Sequence, residues 1–221
     1  MSDFASHVRS SGKRSISVFG DSITAGASVP EASRWANRLA AQLELTLRNK
    51  GVSGTLLQSS PDINGMPRAG NGMDRFRRDL LGEERCDLIA ILYGVNDARH
   101  MGAPESINHD GFVRDYRRLL GDLIVAGFAA TDICIGSPAH IPDPGFAVGD
   151  AEFIGQSRAG FQDYVATIRS LAATFGTFYA PVNETMQARG ADSLVLPDHV
   201  HPSADGHAVI ADAFSGATPV N

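Results

Sequence analysis

The chain has 221 residues, of which 43% are hydrophobic and 20% charged, a size and balance that suit a soluble globular protein with one large core. Its formal net charge of -6 argues against a broad nucleic-acid or anionic-membrane surface. The polar stretch 1–14 lacks the apolar segment of a secretory signal and no run reaches membrane-spanning length, so the expected location is the cytoplasm.

The first apolar run, residues 15–19, reads as a strand ending at Gly20. A helix is predicted over about 31–43, where Trp35, Leu39 and Leu43 recur every four residues and Trp35 belongs to the core. A second strand is expected at 44–48, then a loop rich in Gly, Ser, Pro and Asn over 51–72. A short helix at about 73–81 carries the basic run Arg75-Phe76-Arg77-Arg78, followed by Asp79, Glu83 and Glu84. That run reads as a solvated helix face, with a contact to an acidic substrate or lipid headgroup as the alternative. The third strand is expected at 87–93, and a helix at about 112–126 ends near Gly127 as its C-cap. A fourth strand, 132–136, leads into the Pro-rich loop 137–150. A helix at about 152–175, a fifth strand at 177–182 and a last helix at 204–214 complete the chain. Cys86 and Cys134 sit in apolar strand runs without a CxxC neighbour and read as buried free thiols.

Strands alternating with helices, without repeats, predict one α/β domain over residues 1–221, its core spanning about 15–214. The expected architecture is a three-layer α/β/α sandwich with a central five-stranded parallel sheet, doubly wound in the flavodoxin-like manner. Such sheets bind ligands at the carboxyl ends of their strands. Three polar signals fall there. Ser22 follows the first strand in Gly20-Asp21-Ser22-Ile23, where its hydroxyl can project beside a helix start or cap that helix. Asn96 follows the third strand in Gly94-Val95-Asn96-Asp97, aimed into the crevice or serving a turn. Asp198 and His201 stand three apart before the last helix, where a carboxylate can orient an imidazole, or the segment is a helix-entry turn with Pro202 at its start.

Together these residue types are what acyl transfer from an ester requires: nucleophile, oxyanion donor, base and orienting acid. Their order resembles the SGNH (GDSL-type) hydrolases. Gly20-Asp21-Ser22 is similar to the family's first block and Asn49-Lys50-Gly51-Val52-Ser53-Gly54 to its second. Gly94-Val95-Asn96-Asp97 is similar to the third and Asp198-His199-Val200-His201-Pro202 to the last. The resemblance spans residues 16–214. It implies Ser22 as nucleophile, His201 as general base and then acid, and Asp198 as the group that orients His201. It also implies an oxyanion hole from the backbone N–H groups of Ser22 and Gly54 and the side-chain amide of Asn96. Gly51 competes with Gly54 for the second place; Gly54 follows a Ser, as in the family's Ser-Gly-Asp-like turn, although Thr55 stands where that turn carries Asp. Glycine is expected there because a side chain would crowd the N–H away from an oxyanion.

Two other site readings compete. Asp198-His199-Val200-His201 with Asp205 and His207 has metal-like spacing, but would leave Ser22 and Asn96 without a role, so His199 and His207 read as exposed residues and no metal is expected. The Gly-x-Ser-x-Gly elbow is absent, since Ile23-Thr24 follows Ser22. The expectation is therefore a cofactor-free esterase acting on a small-molecule ester, with a short acyl group such as an acetyl ester of a sugar. Acyltransferase or thioesterase activity is the alternative and a non-catalytic binding protein on the same fold the remote one. Loops 59–71 and 139–150, with Met66, Pro67, Ile141, Pro142, Pro144 and Phe146, are expected to wall the crevice. Oligomeric state is not legible.

Overall fold

The computed structural model describes residues 2–26, 28–102, 106–149 and 155–220. Helix α1 (Phe4–Ser11) opens the chain, capped by Asp3 and ended by Gly12, with Phe4, Ala5 and Val8 buried. It was not anticipated, because the segment is polar overall, yet its apolar residues fall on one helical face. Strand β1 (Ser15–Gly20) leads into the short helix α2 (Ser22–Ala25). The helix predicted over 31–43 is divided into a 3-10 turn, Glu31–Ser33, and α3 (Trp35–Leu43). Strand β2 (Thr46–Gly51) starts later than predicted, because Glu44 takes a left-handed conformation that ends α3.

Helix α4 (Gly72–Leu81) and strand β3 (Leu88–Leu92) follow, then two short antiparallel strands, β4 (Met101–Gly102) and β5 (Ser106–Ile107). Helix α5 (His109–Val125) begins earlier than predicted because Asn108 caps it, its side chain accepting from Gly111 N–H. After β6 (Ile133–Gly136), α6 (Arg158–Phe175) is capped by Ser157. The predicted start of that helix at 152 and the loop end at 150 lie outside the described residues. Strand β7 (Phe178–Ala180) stops short of 182, because Pro181 cannot continue the ladder and Val182 opens the unpredicted helix α7 (Val182–Arg189). Helix α8 (Ala204–Ser215) and strand β8 (Thr218–Pro219) close the described chain.

The sheet order is β2-β1-β3-β6-β7-β8. The first five strands are parallel, as expected; β8 adds an unpredicted antiparallel edge. Strands β1, β3, β6 and β7 are buried almost throughout, whereas β2 is an edge with Thr46, Arg48 and Asn49 exposed. Helices α1, α3, α7 and α8 associate on one side of the sheet, and α4, α5 and α6 on the other. Trp35 is fully buried and stacks on Phe214 with ring centroids 4.6 Å apart, which fixes α3 against α8. Cys86 and Cys134 are free and buried. The chain reverses its direction across the sheet between β1 and β3, so the loops after those two strands part and leave a crevice.

Candidate active site

Strand β1 delivers Ser22 to that crevice through a tight turn. A Cβ on Gly20 would stand 2.0 Å from Thr24 Oγ1 and 2.4 Å from the Leu92 carbonyl, so β1 can approach β3 this closely only with glycine there. Asp21 then caps α2, its carboxylate accepting from Ile23 N–H at 2.9 Å. Ser22 is the first residue of α2, where backbone N–H groups have no acceptor within the helix.

The C-terminal segment brings two more groups to the same place. Val195 and Pro202 form an antiparallel bridge, and Leu196 N–H donates to the His201 carbonyl at 2.8 Å, which folds the intervening residues into a turn. Asp198 Oδ1 accepts from the N–H groups of Val200 and His201, both at 2.9 Å. Its Oδ2 lies 2.8 Å from His201 Nδ1, and His201 Nε2 lies 2.9 Å from Ser22 Oγ. Burial raises the Asp198 carboxyl, but the backbone N–H groups and the His201 ring outweigh it and hold the acid below its usual range. Such a line can pass a proton from hydroxyl to imidazole while the carboxylate stabilises the resulting cation.

Opposite this line stand Gly54 and Asn96. Gly54 has φ of +75°, and a Cβ there would meet nothing within 4 Å. Glycine is therefore required by the left-handed backbone rather than by the crowding the sequence suggested. Gly51 closes β2 instead, its N–H engaged by Asn49 Oδ1 at 2.9 Å. Asn96 Nδ2 donates to the Thr55 carbonyl at 3.1 Å and keeps a second hydrogen; Asn96 Oδ1 accepts from Arg99 Nη2 at 3.0 Å. This pairing fixes which way the amide faces. Arg99 also donates to the Val95, Gly145 and Val148 carbonyls, joining Asn96 to the far loop. Burial lowers the Arg99 guanidinium to about 10, against the opposing pull of Asp21. Asp97 is fully buried and accepts from Leu57 and Gln58 N–H at 3.0 Å each; burial raises it to about 7, and nearby Asp21 adds to the rise. Asp21, raised by its own burial to about 6, lies within the fields of His201 and Arg99.

Ser22, Gly54, Asn96, Asp198 and His201 line one cavity of about 370 Å³, together with Arg68 and Val148. The expected loops 59–71 and 139–150 reach it, through Arg68 and Val148, but not through the apolar residues expected to wall it. Ile141 and Phe146 are in the core, Met66 is 66% exposed, and Pro142 and Pro144 line a separate pocket. The expectation for His207 is also corrected: it is buried and its Nδ1 accepts from Trp35 N–H at 3.2 Å, so burial depresses its pKa to about 4. His199 is exposed. Among the described residues no group of three or more His, Cys, Asp or Glu stands close enough to hold a metal ion.

The basic run on α4 divides. Arg77 and Arg78 are exposed, but Arg75 is 3% exposed and lies beneath the site, because it shares the inward face of α4 with Phe76 and Leu80. Sequence reasoning read Arg75 as part of a solvated face, noted Thr55 only as a departure from the family's turn, and passed over Arg99; for Arg75 the available signal was a charge placed on the apolar stripe of an amphipathic helix.

The family model of the GDSL-like lipase/acylhydrolase family matches residues 18–209. The sequence has no match among curated proteins. Solved structures share the fold. A lipase/acylhydrolase from Enterococcus faecalis aligns over 94% of this chain and 99% of its own, with 21% identity and a TM-score of 0.68. A catalytic mutant of an acetylxylan esterase from Geobacillus stearothermophilus aligns over 95% and 97%, with 19% identity and a TM-score of 0.65. A member of the lipolytic G-D-S-L family from Veillonella parvula aligns over 90% and 95%, with 18% identity and a TM-score of 0.63. No helix among the described residues is long and apolar enough to cross a membrane.

Proposed function

Since this chain belongs to the GDSL-like lipase/acylhydrolase family, we propose that it hydrolyses short-chain carboxylic esters through an acyl-enzyme formed on Ser22. The observation that carries this reading is the unbroken hydrogen-bonded line Ser22–His201–Asp198 opening on a cleft that Gly54 and Asn96 also line. Ser22 Oγ attacks the ester carbonyl as His201 Nε2 takes its proton. The negative oxygen of the tetrahedral intermediate is met by the N–H groups of Ser22 and Gly54 and the free hydrogen of Asn96 Nδ2. His201 then returns the proton to the leaving alcohol, and water, activated by the same imidazole, releases the acid. Asp198 holds the His201 tautomer and stabilises the imidazolium.

A cavity of about 370 Å³ favours a small acyl group. An acetylxylan esterase stands among the structural neighbours, which makes acetylated sugars the first natural-type substrates to try. The test compares p-nitrophenyl acetate hydrolysis by the wild type and by Ser22→Ala, with a chelator present in both. Activity well above buffer in the wild type, abolished in the variant, is expected. Activity that survives in Ser22→Ala overturns the assignment.

A further inference from the structure

The turn that carries Gly54 is tied to the sheet through the residue beside it. Thr55 is buried; its hydroxyl donates to the Val52 carbonyl at 2.7 Å and lies 3.0 Å from Tyr93 Oη. With that proton committed, Tyr93 is the donor to Thr55 Oγ1. Tyr93 Oη in turn accepts from Arg75 Nη2. The same Nη2 donates to the Gly20 carbonyl at 2.7 Å, while Nη1 donates to the Lys50 carbonyl and to Asp79 Oδ2, both at 2.7 Å. All four Nη hydrogens are thereby used, and the guanidinium lies 4.2 Å from the Phe19 ring centroid.

One buried cation therefore grips the ends of three segments. Gly20 is two residues before Ser22, Lys50 is the penultimate residue of the strand that leads to Gly54, and Tyr93 is three residues before Asn96. Thr55 closes the arrangement, since its own carbonyl accepts from Asn96 Nδ2. We infer that Arg75, Tyr93 and Thr55 are positioning residues that set the mutual spacing of the three oxyanion donors, an inference that rests on the reading of Ser22, Gly54 and Asn96 above. None of the three lines the cleft. The physical reason is geometric. Oxyanion donors act only within a few tenths of an ångström of their target, and a glycine turn at positive φ does not hold such spacing unaided. A buried charge contributes no more stability than well-packed apolar residues would, and Phe76 and Leu80 already anchor α4. The departure of Thr55 from the Ser-Gly-Asp-like turn fits: a hydroxyl can both donate to Val52 and accept from Tyr93, whereas a carboxylate can only accept.

The test uses Thr55→Val, Tyr93→Phe, the conservative Thr55→Ser, the double variant Thr55→Val/Tyr93→Phe, and Ser22→Ala. It reads kcat and KM with p-nitrophenyl acetate, the rate of labelling by a fluorophosphonate probe, and Tm by circular dichroism. Thr55→Val and Tyr93→Phe are each expected to lower kcat and the labelling rate about 10-fold, less than loss of a whole donor, with KM within about two-fold. Thr55→Ser is expected to restore most of the loss, and the double variant to be little worse than either single change, because both break one chain. Unchanged kcat in the two single variants, a rise in KM alone, or losses that vanish when the assay is cooled well below each variant's Tm would overturn the positioning role. If those variants match the wild type while Ser22→Ala is dead, the positioning inference alone fails. If Ser22→Ala stays active, or the wild type neither hydrolyses nor is labelled, the functional reading beneath it fails.

Discussion

The two sides of the cleft are held in opposite ways. Asp198 and His201 are partly exposed and are fixed by bonds within one turn, Asp198 accepting from residues two and three positions ahead. Gly54 and Asn96 depend on groups far away in sequence: Tyr93 and Asp97 reach about forty residues to Thr55, Leu57 and Gln58, and Arg99 reaches to Gly145 and Val148. The comparison teaches that a proton-transfer pair can be built locally and left near water, where it must exchange protons. On the proposed reading, donors that stabilise an oxyanion need a rigid frame, and here buried polar groups supply it with bonds that run across the fold as well as to near neighbours.

The contrast predicts separable effects. Changes on the His201 side should cost activity with little stability, and changes on the Asn96 side should cost both. The largest effect is expected for His201→Ala, about 10⁴-fold or more in kcat by steady-state kinetics, with Tm nearly unchanged. Asp198→Asn should cost less, about 10²- to 10⁴-fold, because Asn can still accept from the Val200 and His201 N–H groups but no longer balances the imidazolium. Equal losses from both would mean that the pair acts as one unit. Gly54→Ala meets no clash, so its cost is left-handed strain of about 1 kcal/mol together with a displaced N–H and a kcat loss approaching about 10²-fold. Arg99→Met leaves Asn96 Oδ1 and the Gly145 and Val148 carbonyls without this donor. It should lower kcat about 10-fold and stability by about 2–4 kcal/mol in urea unfolding. A large kcat loss without destabilisation in Arg99→Met would break the comparison.

The effect on pH dependence leaves the catalytic groups untouched and is the most diagnostic. Asp97 has its pKa raised in the fold to about 7, above the ordinary 3.8. A group raised on folding stabilises below its unfolded value and loses that contribution as pH climbs through its folded value. Asn does not titrate, so the stability of Asp97→Asn relative to wild type should improve between pH 4 and pH 7, by at most about 1.4 kcal/mol per pH unit. Urea midpoints across that range that run parallel for the two proteins would show that Asp97 keeps its charge through its backbone donors. His207 provides the opposite sign. Its pKa is depressed to about 4, so wild-type stability should fall as pH drops from about 6.5 towards 4, and His207→Gln should flatten that acid limb.

Much of the fold was legible because its signals are short in range. Five apolar strand runs and the helix periods between them predict the parallel sheet, and the crevice follows from where the chain turns back. Errors gathered where a local cap or stop decides. Glu44, Asn108 and Pro181 each moved an element boundary, and α1 was hidden because its three buried residues are diluted by polar ones. In the site, the contact between Asp198 and His201 spans three residues and could be anticipated from spacing. The contact of His201 with Ser22 spans 179 residues and rested on the resemblance of ordered blocks, since no local rule reaches that far.

What the sequence by itself determined was the alternation of strands and helices, the glycines that permit tight turns after β1 and β2, and the polar residues delivered to the strand ends. The tertiary structure alone decided that His207 is buried against the Trp35 N–H and that Arg75 leaves a basic run to enter the protein. The reason is the same in each case. A residue's own pattern fixes the face on which it lies, but whether a buried imidazole or guanidinium is tolerated depends on partners supplied from distant parts of the chain, here the Trp35 N–H that donates to His207 and the Gly20 and Lys50 carbonyls that accept from Arg75, and those come together only once the fold has assembled.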